Sequence, residues 1–214
     1  MRLTRSFCSV TELNWLPRLR FEAEMSQYKF KDSLVKVCGL DLSTSVVGYS
    51  IFEGEELVSY NWYKFSKPDG YELIDLVEQF DKEVWPEIKE SDTVVLEDSL
   101  KKYQGSFSSR KTITVLLQFN AIIEYELRKR LGKENLKKLH PATAKKESFL
   151  ERGRVPSSYE SPWSTYDDGK AWVIENTEKE FDSFEYELTR SDNPRPGTDD
   201  LCDSIVLANA YLRG

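Results

Sequence analysis

Four acidic residues carry the chemistry legible in this chain: Asp41, Glu97, Asp200 and Asp203. Asp41 follows the apolar run "VCGL" and Glu97 follows "TVVL", so two separate strands end in a carboxylate. Asp200 and Asp203 open the last apolar segment, "TDDLCDSIVLANAY", at an i, i+3 spacing that puts both on one face of a helix. Asp199 reads as a capping residue favoured by the helix dipole. That explanation fails for Asp203, which stands a turn inside an otherwise apolar helix, and Asp41 has no Lys or Arg close to it in sequence. Carboxylates brought together away from water repel one another unless a cation compensates them. A set of oxygen donors without His or Cys selects a hard ion, Mg²⁺ or Mn²⁺. Two such ions about 4 Å apart activate a water and stabilise the leaving oxygen of a phosphodiester.

The elements that must position these acids follow from hydrophobic patterning. "LVKVCGLDL", "VVGYSIFE" and "ELVSYNWYKF" are β-rich and separated by the turn-prone "STS" and "EGE", which predicts a three-strand meander. Residues 71–89 have a helical period through Leu73, Leu76, Val77, Phe80 and Val84, disturbed by Pro86. "TVVLE" is a short buried strand. A long helix is predicted from about Ser108 to Leu131, followed by a strand "LKKLH" and a helix opening after Pro141. Residues 153–169 and "SDNPRPGTD" read as loops, with a helix through "KAWVIENTEKEF" between them and a terminal helix after. The expected class is α/β: a five-stranded mixed sheet, the meander plus two further strands, flanked by helices. The lone histidine, His140, ends a strand ahead of Pro141 and reads as a surface or core-edge residue.

Composition narrows the field. With 214 residues, 39% apolar and 31% charged, the chain suits one globular domain plus a small appendage. No apolar run approaches the roughly 20 residues of a membrane helix, so no membrane role is expected. Cys8, Cys38 and Cys202 form no CxxC pair, which fits a reducing compartment and gives no zinc site. The net charge of −7 is unevenly spread: residues 98–154 hold 14 Lys and Arg against 6 Asp and Glu, a local +8, leaving −15 elsewhere. One region can therefore face phosphates while the rest repels them. Residues 1–33 lack a sustained period and are read as an N-terminal extension of unknown role, ahead of a domain at 34–214. Residues 1–20 contain four arginines and one acid, compatible with an organelle presequence, and Met25 offers an alternative start.

The order "GLDLSTSVVGYSI", "VVLED", "TDDLCDSIVLANAY" resembles the RuvC family of Holliday-junction resolvases in the ribonuclease H-like superfamily, over roughly residues 34–214. The resemblance implies a ribonuclease H-like fold and a structure-selective endonuclease cleaving branched DNA, with Asp41, Glu97, Asp200 and Asp203 binding two Mg²⁺ ions, Mn²⁺ substituting. "HPATAKKESF" is similar to a basic stretch of the family, pointing to Lys145 and Lys146 at DNA, and "DDGKAW" to a segment that places Lys170 there. The loop after the catalytic Glu probes the junction centre in that family; here it is "DSLKKYQGSFSSRK", offering Tyr103 and Phe107 for base stacking and Lys101, Lys102, Arg110 and Lys111 for phosphates. The longer, acidic segments 153–169 and 182–198 depart from a minimal bacterial resolvase. They fit a viral or phage enzyme in the host cytoplasm better, with an organellar resolvase in the mitochondrial matrix as the alternative.

The resemblance also implies a homodimer through helix 108–131. In that helix Ile113, Leu116, Leu117, Ile123 and Leu127 are read as the face that packs on the sheet. Val115, Phe119 and Ile122 are read as lying roughly opposite, free for a partner or covered by helix 71–89. Two other readings of the chain compete. An actin-like or sugar-kinase ATPase shares the strand-Asp-turn opening, but needs a second such hairpin and glycine-rich adenosine contacts that are missing here. A non-catalytic DNA-binding scaffold would not require all four acids.

Overall fold

The sheet is built around the strand that carries Asp41. In the computed structural model, described for residues 34–98, 110–149, 155–163 and 165–214, β1 (Lys36–Leu42), β2 (Val46–Glu53) and β3 (Glu56–Lys64) form the expected antiparallel meander. β4 (Thr93–Glu97) adds parallel to β1, and β5 (Leu136–Leu139) parallel to β4. The order across this mixed sheet is β3-β2-β1-β4-β5.

Both faces are covered, because successive strand residues point to opposite sides. Cys38, Leu40 and Leu42 of β1 join Val94 and Leu96 of β4 in one core. Over that side lie α1 (Leu73–Gln79), a π-helical turn at Phe80–Val84, α2 (Trp85–Ile88) and α3 (Arg110–Leu131). The amide of Trp85 donates to the carbonyl of Phe80, five residues back. The widened turn accommodates Pro86, whose ring would clash with the carbonyl of a regular helix. Val37 and Val95 point the other way, into a second core with α4 (Pro141–Phe149), α5 (Asp168–Glu180) and α6 (Thr198–Arg213).

The faces of α3 differ from the expectation. Phe119 is fully buried with its ring edge-on to Phe65, and Ile123 and Leu127 are buried beside it. Phe119 and Ile123, four residues apart, are separated by only roughly 40° around a helix, so Phe119 belongs to the sheet-facing side. Its side is covered within the chain, with α1 packed against α3. Leu117, expected on the sheet-facing side, is instead exposed, as is Tyr125; among the described residues these are the exposed large apolar side chains of α3. Residues 1–33 lie outside the described residues. Among the described residues, no helix is long and apolar enough to cross a membrane.

Candidate metal centre

Asp41 shares the face of β1 that carries Val37 and Gly39, and Glu97 shares the face of β4 that carries Val95. Both carboxylates therefore point toward α6. The helix reaches them because two glycines let it press onto the sheet. A Cβ on Gly39 would fall 1.9 Å from the Ser204 carbonyl oxygen, and one on Gly48 2.2 Å from that of Asp200. The start of α6 is set by Gly197, in the left-handed region with φ 100°, stacked against the indole of Trp62. Its far end is tied to α4 by Asn209, which donates to both the hydroxyl and the carbonyl of Ser148.

The result is a cleft of about 400 Å³ whose acidic lining includes Asp41, Glu97, Asp199, Asp200 and Asp203. The four acids named from the sequence meet there. Asp199 joins them, and its carboxylate pairs with the Lys170 ammonium rather than only serving the helix terminus. Lys145 approaches Asp203 at 3.6 Å. Lys146, the next residue on α4, points away, 75% exposed beside Glu147. Lys101, Lys102, Tyr103 and Phe107 lie outside the described residues, and Arg110 and Lys111 are placed only as the first turn of α3. His140 accepts a hydrogen bond from the amide of Ala142 at the start of α4 and is exposed, in keeping with its reading as a surface or core-edge residue.

Sequence reasoning missed the opposite wall. Ile113, Leu116 and Leu117 of α3 line the cleft, together with Asn120, Glu124 and Lys138. Lys138 on β5 reaches Glu124 at 2.8 Å and Asp98 at 3.7 Å, tying α3 to the end of β4. A lysine in a short strand gives no sequence signal of this kind, since its neighbours are fixed by strand order.

The electrostatics are those of acids held together. Burial, then the charges of Asp203 and Asp200, push Asp41 well above the usual carboxylate range. Burial and Asp203 raise Glu97 to about 7, with Lys145 opposing. Burial and Asp199 raise Asp200 to about 7, with Lys170 opposing. Burial also raises Asp203, again against Lys145. Among the described residues no three acidic, His or Cys side chains are drawn up as a ready ligand shell. Lys145 and Lys170 instead hold the carboxylates of α6. The donors nonetheless fit a hard divalent cation: they are all oxygen, they converge on one cleft, and their mutual repulsion is what such an ion relieves.

No protein-family profile and no curated protein sequence matches the chain. Solved structures do. RuvC of Thermus thermophilus is 13% identical with a TM-score of 0.52, covering 83% of this chain and 93% of its own. The same protein in complex with a Holliday junction substrate gives 13% identity and a TM-score of 0.50, over 83% and 92%. The yeast mitochondrial Holliday junction resolvase Ydc2 is 16% identical with a TM-score of 0.54, over 85% and 79%. The likeness is one of fold, and this chain has the RuvC-like form of the ribonuclease H fold.

Proposed function

We propose that this chain is a divalent-metal-dependent endonuclease that cleaves Holliday junctions or other branched DNA. The observation that carries the reading is the meeting of Asp41, Glu97, Asp200 and Asp203, from β1, β4 and α6, in one cleft. These four would hold Mg²⁺, or Mn²⁺ in its place; when bound, the ions supply an activated water and neutralise charge at the leaving oxygen. The chain's own residues do the positioning. β1 and β4 fix two carboxylates on a rigid sheet, and α6 carries the others at helical spacing. Lys145 and Lys170 keep the repelling acids together, and both stand close enough to the cleft to meet a phosphate. Lys146 lies outside the acid cluster and would contribute general attraction to DNA. Lys101, Lys102, Tyr103, Phe107, Arg110 and Lys111 would engage the junction itself.

Incubation with Mg²⁺ and end-labelled four-way junction, flap, duplex and RNA/DNA hybrid tests the reading. Selective nicking of branched DNA is expected. ATP hydrolysis without nicking would place the chain with the ATPases, and tight junction binding without nicking in either Mg²⁺ or Mn²⁺ would make it a scaffold.

A further inference from the structure

Segment 182–197 is not required by the acid cluster, yet it is built with care. At its tip the amide of Thr189 donates to the Asn193 carbonyl at 2.7 Å, and the amide of Asp192 to the Thr189 carbonyl at 3.1 Å. Asp192 takes the left-handed conformation with φ 55°. The buried Asn193 turns its amide back onto the carbonyl of Ser191 at 3.0 Å. Leu188 bridges to Pro194, and the Tyr166 hydroxyl donates to the carbonyl of Arg195 at 3.0 Å, joining this segment to the one before α5.

Between the two segments lies a second cleft of about 570 Å³. It meets the first at Asp199 and Asp200, which line both. Tyr166, Val46, Pro194 and Pro196 give it apolar walls, with Thr189 and Ser191 at the turn, and among the described residues its lining contains no Lys or Arg. Such a lining is poor for phosphate and suits a flat ring with a sugar, since every base has a π-face that packs on aromatic and apolar groups. A DNA strand passing the acid cluster must leave it on both sides, and this cleft adjoins the cluster through the shared Asp199 and Asp200.

We infer that the second cleft receives the base and deoxyribose of the nucleotide adjoining the scissile phosphate. This assignment rests on the nuclease reading above. It gives segment 182–197 a role as a wall of the substrate groove, with its cation-free lining directing the sugar and base inward and the phosphates outward.

The test uses the full chain, Mg²⁺ and a four-way junction carrying a single abasic nucleotide, moved position by position across the cleavage point. In the wild type, removing the base on one side of the scissile phosphate should raise KM about tenfold, the value of one lost stacking contact, with kcat unchanged; the same change on the other side should matter little. Ser191→Glu and Pro196→Glu, both at exposed positions, should raise KM similarly on intact junctions and remove the extra effect of the abasic position, because the two changes act on one contact. Equal KM at every abasic position in a wild type that cleaves overturns this inference alone. Failure of the wild type to cleave any branched DNA overturns it together with the nuclease reading.

Discussion

Gly48 stands directly across from Asp41 on the neighbouring strand, and the space its missing side chain leaves is filled by the backbone of Asp200. The distance between the first acid and the acids of α6 is thus set by a residue with no chemistry of its own. Gly48→Ala should push the start of α6 off the sheet, at a cost of about 1–3 kcal/mol for an overpacked contact. It should also lower the affinity for Mn²⁺ by about 10–100-fold, as for lost supports of ligands elsewhere. Calorimetric titration with Mn²⁺ on the folded variant checks this. An unchanged affinity would show that Gly48 does not set the spacing of the acids.

Asp41→Asn, Glu97→Gln, Asp200→Asn and Asp203→Asn should each abolish cleavage while leaving junction binding intact. Each removes a charge from a cluster of repelling carboxylates. The metal-free variants should therefore melt higher than the wild type, by about 2–4 °C for each ~1 kcal/mol of relieved repulsion in a domain of this size. Nicking assays and melting curves on the same preparations decide it. Wild-type cutting by both Asp200→Asn and Asp203→Asn would refute the site.

The pH dependence of stability should run opposite to that of ordinary surface carboxylates. Glu97 and Asp200 are raised to about 7 in the folded chain. Between their ordinary values and about 7, the folded state binds more protons than the unfolded state, so stability falls as pH rises through that window. In chelator, the melting temperature should be higher near pH 5 than near pH 8. Excess Mg²⁺ should narrow or reverse the difference, since it binds the ionised acids. A melting temperature that climbs from pH 5 to 8 in chelator would contradict the raised values.

Lys145 and Lys146 should separate into two roles. Lys146→Glu should weaken binding to all branched DNAs and reduce the salt slope by about one unit, as expected for one lost phosphate contact, with kcat retained. Lys145→Gln removes the counter-charge 3.6 Å from Asp203, so it should also shift the Mg²⁺ concentration needed for half-maximal cleavage. A salt series crossed with a Mg²⁺ series distinguishes them. Identical behaviour of the two variants would place both lysines on the same solvated surface.

If a homodimer forms through α3, the exposed apolar side chains that could contribute to it are Tyr125 and Leu117, the latter also lining the acid cleft. Leu117→Glu with Tyr125→Glu should convert a dimer to monomers with little loss of thermal stability. Phe119→Glu should instead unfold the chain, because it puts a charge where a fully buried ring meets Phe65. Light scattering and melting curves tell these apart. A wild type that is monomeric across the micromolar range yet nicks paired strands in step would exclude the dimer.

The strand that carries Asp41 was legible because the β-rich run through Val37–Leu42, bounded by the turn-prone "STS", is a local signal, and the same holds for Glu97 after its apolar run. Asp200 and Asp203 were legible from spacing alone. What escaped were relationships between distant parts of the chain. Gly39 and Gly48 are visible as glycines, but only tertiary packing reveals that α6 occupies their missing side chains. Lys138 enters the cleft because β5 pairs with β4, which no residue in "LKKL" announces. The misassigned side of Phe119 has a simpler origin. Its partner four residues on, Ile123, already placed it on the buried face, and the apolar residues of α3 spread too widely for inspection to choose the core side.

Because α6 follows all five strands of the sheet along the chain, the nuclease proposed here would be assembled in a fixed order during synthesis. Asp41 and Glu97 are in place once the first four strands exist, but the remaining acids leave the ribosome only with residues 199–203. Until α6 docks, one face of the sheet stands bare of its main covering helix and the acid set is half complete. A nascent or prematurely stopped chain would therefore be unable to cut DNA, and catalytic competence would arrive together with the burial of Ile205, Val206 and Ala208.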